Sequence, residues 1–266
     1  MKTVLAALLA IATFATLPAA AQEWAKASLK KSSRHQEWVQ LKNGDRTVSA
    51  FVVYPEVKTK ATAVVVIHEI YAMSDWVQSL TDQLAEAGYI AIAPDLLSGM
   101  GPNGGRTDSF DPSKVTEAIG KLPPDQVTGD LAAAADYVKK LPAANGKLVV
   151  AGFCWGGAQT FRFTTNRPDV LAALVFYGQS PTKPEEIARI KAKVYGFYAE
   201  NDARIGATIP DTEKLMKDAG KPYEPVIYKG AGHGFMRAGE QPDPTPANKQ
   251  ARDDAWVRLK EILKKL

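Results

Sequence analysis

Short β-branched runs alternate with amphipathic stretches along most of the chain. Ala61 to His68, ATAVVVIH, is apolar at almost every position, the pattern of a strand covered on both faces as in a parallel sheet. Before it, a polar segment containing His35 leads into RTVSAFVVYP, Arg46 to Pro55, which predicts a strand near the domain edge. After it, Ser74 is placed to cap a helix whose apolar positions recur at Trp76, Leu80 and Leu84; Gly88 turns the chain and Tyr89 to Ala93 gives another strand. That order is a βαβ unit.

Between Leu96 and Pro124 the periodicity gives way to Gly, Pro, Asp and Ser, which predicts a long loop with one short helix. Loops after strand ends commonly carry binding residues. PDQVTGDLAAAADYVKKL resumes as a helix with a basic last turn, and Leu148 to Ala151 reads as a central strand. DVLAALVFYG, AKVYGFYAEND (Ala192 to Asp202) and YEPVIYKGAGHGF supply further strands, with TIPDTEKLMKDAG as a helix ending at Gly220. The terminal helix KQARDDAWVRLKEILKKL aligns Trp256, Leu259, Ile262 and Leu263 on one side, a stripe expected to pack on the sheet. No internal repeat interrupts this succession, and the Pro-rich EQPDPTPAN is too short to separate domains. The prediction is one α/β domain with a mostly parallel central sheet covered by helices on both faces.

The first residues do not fit that domain. Lys2, the apolar span Val4 to Leu17 and the small residues Ala19, Ala20 and Ala21 follow the order of a secretory signal peptide, with a retained anchor as the alternative. Residues 1–21 are therefore set aside as a leader and residues 22–266 taken as the domain. The expected location is the periplasm or the exterior of a bacterium, with no stable membrane insertion once the leader is removed. The formal charge is +4, one unit of it from Lys2, and basic residues form no block, so nothing points to nucleic acid. A single cysteine forms no intrachain disulfide, so in an oxidising compartment that thiol is expected to be either buried or used.

That cysteine stands in LVVAGFCWGG. Gly152 permits an awkward backbone before Cys154, and Gly156 removes side-chain bulk after it, as in a nucleophile elbow where a sharp strand-to-helix turn presents the reactive atom. A phosphate loop would need Lys then Ser or Thr, and a redox pair a second cysteine; both are missing. Asp202 and His233 follow later strands, so nucleophile, acid and histidine come in the chain order of an α/β-hydrolase triad. His233 would take the thiol proton and Asp202 would orient it. Of the other histidines, His35 reads as a surface residue, while His68 is either a packed core histidine or a pocket wall. No metal-ligand spacing appears, and no cofactor is expected.

Together VIHEIYAMSDWVQSLTDQLAEAGYIAIAPDLLSG, VVAGFCWGGAQT, Asp202 and GAGHGFMR closely resemble the dienelactone hydrolase family of α/β-hydrolases, from about Trp38 onward. The resemblance implies that Cys154 attacks an ester or lactone carbonyl, that His233 shuttles the proton and that Asp202 orients His233. It further implies that the N–H groups of Ile70 and Trp155 form the oxyanion hole, and that Glu69 controls the thiol. Arg237 matches an arginine that binds the substrate carboxylate. Gly99 stands where the family's second carboxylate-binding arginine is expected, with Arg106 as a replacement from the loop. Tyr71, Trp76, Trp155 and Phe235 are candidates to shape an apolar pocket, with a place in the hydrophobic core as the alternative for Trp76, which begins the apolar face of its helix. The implied substrates are small esters or lactones, anionic ones included, handled by a monomer with a complete site. A general carboxylesterase or thioesterase with the same triad, and a noncatalytic ligand-binding protein, are the alternatives.

Overall fold

Why the Ala61–Ile67 run is apolar throughout is plain in a computed structural model, which describes residues 22–266. Every residue of this strand, β3, is buried. Successive side chains of a strand point to opposite faces. Accordingly Ala63, Val65 and Ile67 join one core cluster, while Val64 and Val66 join another on the opposite side. The expected leader, residues 1–21, lies outside the described residues.

The other strands are β1 (Gln36–Asn43), β2 (Arg46–Val53), β4 (Ile90–Pro94), β5 (Ala144–Phe153), β6 (Ala172–Phe176), β7 (Lys193–Asn201) and β8 (Tyr223–Gly232). They form one sheet in the spatial order β1-β2-β4-β3-β5-β6-β7-β8. β1 pairs β2 and β2 pairs β4 antiparallel, whereas every pairing from β4 through β3 to β8 is parallel. The strand expected near the edge is thus one place inside it. The outer strand, β1, comes from the polar segment, where Leu41 alone is fully buried.

The helices are α1 (Glu23–Lys31), α2 (Asp75–Glu86), α3 (Pro112–Gly120), α4 (Pro124–Lys140), α5 (Trp155–Asn166), α6 (Pro184–Arg189), α7 (Ala203–Gly206), α8 (Ile209–Asp218), α9 (Phe235–Ala238) and α10 (Pro246–Lys264). Residues of α1, α2, α9 and α10 cover one face of the sheet; residues of α3, α4, α5, α6 and α8 cover the other. On α10, Leu259, Ile262 and Leu263 are buried and Trp256 packs at the margin. Ser74 caps α2 by accepting from the Val77 N–H, and the Gln22 carboxamide oxygen accepts from the Trp76 N–H at 2.6 Å. Two of the orphan N–H groups of that helix are therefore satisfied. None of the helices among the described residues is long and apolar enough to cross a membrane.

The long loop after β4 holds two short 3₁₀ turns and α3, which is capped by Asp111. Buried Asp95 organises its start, accepting from the Leu97 N–H at 3.0 Å, the Thr107 N–H at 3.0 Å and the Thr107 hydroxyl at 2.7 Å.

The tightest constraint lies where α5 meets β3. A methyl group on Gly156 would come within 2.3 Å of the Ile67 carbonyl oxygen, and one on Gly152 within 2.2 Å of the Gly156 carbonyl oxygen. Gly156→Ala should lower unfolding free energy by about 1–3 kcal/mol through overpacking, read as a drop in the urea midpoint. Gly120→Ala, which meets nothing within 4 Å, should leave the midpoint unchanged or raise it.

Candidate active site

The site is assembled at the carboxyl ends of four parallel strands. Cys154 lies between β5 and α5 with φ 56° and ψ −118°, a conformation that strains an L-residue. Its N–H donates to the Phe176 carbonyl at 3.0 Å and its carbonyl accepts from the Gly157 N–H at 3.0 Å, so both neighbouring elements hold the turn. Asp202 follows β7 and His233 follows β8; Asn201 bridges them, its carboxamide N–H donating to the Gly230 carbonyl at 3.0 Å.

The three side chains meet in one line. His233 Nε2 is 3.1 Å from Cys154 Sγ, and His233 Nδ1 is 2.5 Å from Asp202 Oδ2. Asp202 is buried and accepts the Ile205 N–H at the start of α7, leaving its other oxygen for the imidazole. A carboxylate only accepts, so Nδ1 carries the proton and Nε2 presents its lone pair to the thiol. This is the geometry of a nucleophile, a general base and its orienting acid.

Glu69 lies beside this line, buried. Arg237 Nε donates to Glu69 Oε2 at 2.7 Å, and the Tyr177 hydroxyl donates to Oε1 at 3.4 Å. Burial first, and the Glu69 charge second, push the Cys154 thiol from an ordinary value of 9.0 up to about 11. The backbone N–H groups of Trp155 and Ile70 pull in the other direction because both bear on the sulfur.

Other expected residues have different places. Tyr71 lies under the Arg237 guanidinium, 5.2 Å from ring centroid to Cζ. Phe235 corrects the reading as a pocket wall: it is fully buried, 5.3 Å from Tyr177 and 5.2 Å from Tyr228 between ring centroids, and offers no surface to a substrate. Trp76 is a core ring packed edge-on against Phe153. Arg106 does not reach the thiol; it stacks on Trp38 at 3.6 Å and pairs with Asp108. Gly99 has φ 73°, and the nearest atom to a side chain there would be Arg46 Nη1 at 3.9 Å.

Tyr177 is the residue that sequence reasoning missed. It follows β6 directly with φ 42°, is fully buried, and meets His233 edge-on at 5.0 Å. Burial, then the Glu69 charge, hold its hydroxyl far above the usual phenol range, so it remains a donor to that carboxylate. The signal was available as an aromatic side chain at a strand end in LVFYG. Among the described residues, no group of three or more His, Cys, Asp or Glu is placed to hold a metal.

Because Glu69 raises the thiol, Glu69→Gln should lower the pH midpoint for alkylation of Cys154 by iodoacetamide, from about 11 toward 9.0. Initial alkylation rates across the alkaline range give the midpoint; an unchanged value would show that the carboxylate does not act on the sulfur.

Comparison with known proteins agrees with this architecture. Residues 48–266 match the model of the dienelactone hydrolase family. A provisionally named carboxymethylenebutenolidase of Methylorubrum extorquens is 30% identical over 235 residues, covering 84% of this chain and 78% of that protein. Another from Saccharolobus solfataricus is 30% identical over 251 residues, covering 82% and 94%. Among solved structures, a provisionally named dienelactone hydrolase of Klebsiella pneumoniae superposes with a TM-score of 0.76 at 22% identity, covering 88% of this chain and 100% of that one. A dienelactone hydrolase-like promiscuous phosphotriesterase from metagenomic libraries superposes with a TM-score of 0.74 at 19% identity, covering 88% and 99%; at such identities the fold alone is shared. The family match across nearly the whole described sheet, and the relatives' sequence identity, make this chain an ester or lactone hydrolase of the dienelactone hydrolase family.

Proposed function

We propose that the protein hydrolyses small esters or lactones through an acyl-thioester on Cys154. The observation that carries this reading is the continuous contact from Cys154 Sγ to His233 Nε2 to Asp202. His233 takes the thiol proton as sulfur attacks the carbonyl carbon. The carbonyl oxygen becomes negative between the Ile70 and Trp155 N–H groups, where one well-aimed donor is worth about 3 kcal/mol. Collapse breaks the bond to the leaving oxygen, which receives the proton from His233. In a lactone that oxygen stays tethered to the acyl group. Water, deprotonated by His233, then attacks the thioester, and sulfur leaves to recover the proton.

The thiol's elevated pKa has a consequence for this cycle. At neutral pH nearly all of Cys154 rests as the thiol, which is both the poorer nucleophile and the form slower to oxidise. A single unpaired cysteine in that state suits export into an oxidising compartment, the location that the leader-like first residues support. Burial first and Glu69 second deepen this resting state, while Arg237 holds Glu69. A substrate carboxylate would compete with Glu69 for the guanidinium, whose fork suits two parallel hydrogen bonds. An anionic lactone is thus the favoured substrate class. The position of Arg106 on Trp38 and Asp108 supports a second reading, a carboxylesterase or thioesterase acting on neutral substrates.

Hydrolysis of a small activated ester should fall at least about a thousandfold in Cys154→Ala and in His233→Ala, since members of such a unit fail together. Full activity in Cys154→Ala would remove the proposed nucleophile, and a folded wild-type protein inert on a broad ester and lactone panel would remove the enzyme reading. Arg237→Ala should raise KM for an anionic lactone much more than for a neutral one of the same ring size. Equal losses on both would favour the neutral-substrate reading.

A further inference from the structure

His68 follows β3 directly, is fully buried, and has no part in the line from Cys154 to Asp202. Its Nδ1 lies 2.9 Å from the Glu69 carbonyl oxygen. That oxygen only accepts, so Nδ1 carries the proton in this contact. Nε2 is buried without a partner. Burial lowers the affinity of the ring for a second proton, against the opposing charge of Asp95, which keeps the ring neutral.

The carbonyl that His68 holds has a second identity. Glu69 C=O and Ile70 N–H are the two ends of one planar trans peptide and point in opposite directions. A donor that fixes the oxygen also fixes the direction of the N–H, and polarises it. The same oxygen accepts the Ala72 N–H at 3.0 Å, but Ala72 belongs to the turn itself, with φ 56°, and moves with it. His68 is anchored instead to the end of a buried strand. Its ring also stacks on Trp155 at 5.7 Å and 14°, and α5 approaches so closely that a methyl on Gly156 would lie 2.4 Å from the His68 carbonyl. One side chain therefore meets Trp155 and the peptide that carries the Ile70 N–H, the two N–H groups that bear on the sulfur.

We propose that His68 is a positioning residue for the oxyanion hole: its Nδ1–H holds the Glu69–Ile70 peptide so that the Ile70 N–H meets the oxygen that becomes negative, while its ring braces Trp155. This assignment rests on the acyl-transfer reading of Cys154. It separates His68 from the triad, because the ring acts chiefly on charge that develops on the substrate oxygen and reaches the sulfur only through the Ile70 N–H, the smaller influence on the thiol beside burial and Glu69.

The test compares two reactions of the same thiol. Ester hydrolysis needs an oxyanion hole; alkylation by iodoacetamide, a displacement at saturated carbon, does not. His68→Leu, which keeps the bulk and removes the donor, should lower kcat on an activated ester about tenfold or more with little change in KM, since small misplacements of catalytic groups carry losses of that order. Its alkylation rate should fall by a clearly smaller factor than kcat, because the thiol loses only the pull of the Ile70 N–H while the proton acceptor His233 is untouched. His68→Asn, whose carboxamide N–H lies near the Nδ1 position, should recover most of the lost kcat. The proposal is overturned by wild-type kcat in His68→Leu, by parallel loss of hydrolysis and alkylation, or by His68→Asn performing no better than His68→Leu. Should His68→Leu fail to fold, the kcat of His68→Asn decides alone, and a loss as deep as about a hundredfold would overturn the proposal. Hydrolysis that survives Cys154→Ala would instead strike the acyl-transfer reading beneath it, an outcome the His68 variants do not produce.

Discussion

Backbone meets backbone where α5 leaves the sheet, and the geometry of the site follows from that contact. Because Gly152 and Gly156 lack side chains, the first turn of α5 can lie against the carbonyls that end β3. Three consequences arise at once. Cys154 is forced to a positive φ on a turn held by β6. The Trp155 and Ile70 N–H groups both bear on the sulfur and favour the thiolate. His68 meets the Glu69 carbonyl with Nδ1 and stacks its ring on Trp155. Ile70 and Trp155 are far apart in sequence, so the approach of helix to strand is what makes a site of them.

Charge then decides what the thiol does at rest. Burial alone disfavours the thiolate, and a buried carboxylate beside it disfavours it further. Glu69 is held in that setting by a donor on each oxygen, Arg237 on Oε2 and Tyr177 on Oε1. Breaking such an arrangement by removing one partner leaves a charge uncompensated in the interior, which is costly. The Glu69–Arg237 pair is therefore also a means of coupling: whatever draws Arg237 away changes the field at the sulfur. Under the proposed function this puts recognition of an anion and readiness of the nucleophile on the same side chain.

Much of this was legible in the chain. Alternating β and α signals in β3, α2 and β4 gave the parallel core, since full burial on both faces demands uninterrupted apolar runs. The order of Cys154, Asp202 and His233 gave the line that the structure assembles. α1 and β1 were not legible because each buries only one residue fully, Ala25 and Leu41; their order comes from tertiary partners, such as Arg34, which follows α1 and pairs with Asp82 on α2. Phe235 was misread for a related reason. A position next to the active histidine says where the backbone goes, but the side chain two residues later turns under the site and packs on Tyr177.

Tyr177 and Phe235 show how the core reaches into the chemistry. The Tyr177 ring touches His233 on one edge and rests on Phe235 and Phe153, while its hydroxyl meets Glu69. A close-packed interior transmits displacement, because side chains have few voids to move into. Movement of the phenol would therefore be felt at His233 and at the carboxylate together, though Tyr177 makes no bond to Cys154. Such a residue is invisible to motif reading because its importance lies in joining two parts of the site through packing. The apolar rings at the ends of β5 and β6 thus do more than stabilise the sheet: through Tyr177 they fix the spacing between His233 and the Glu69 carboxylate.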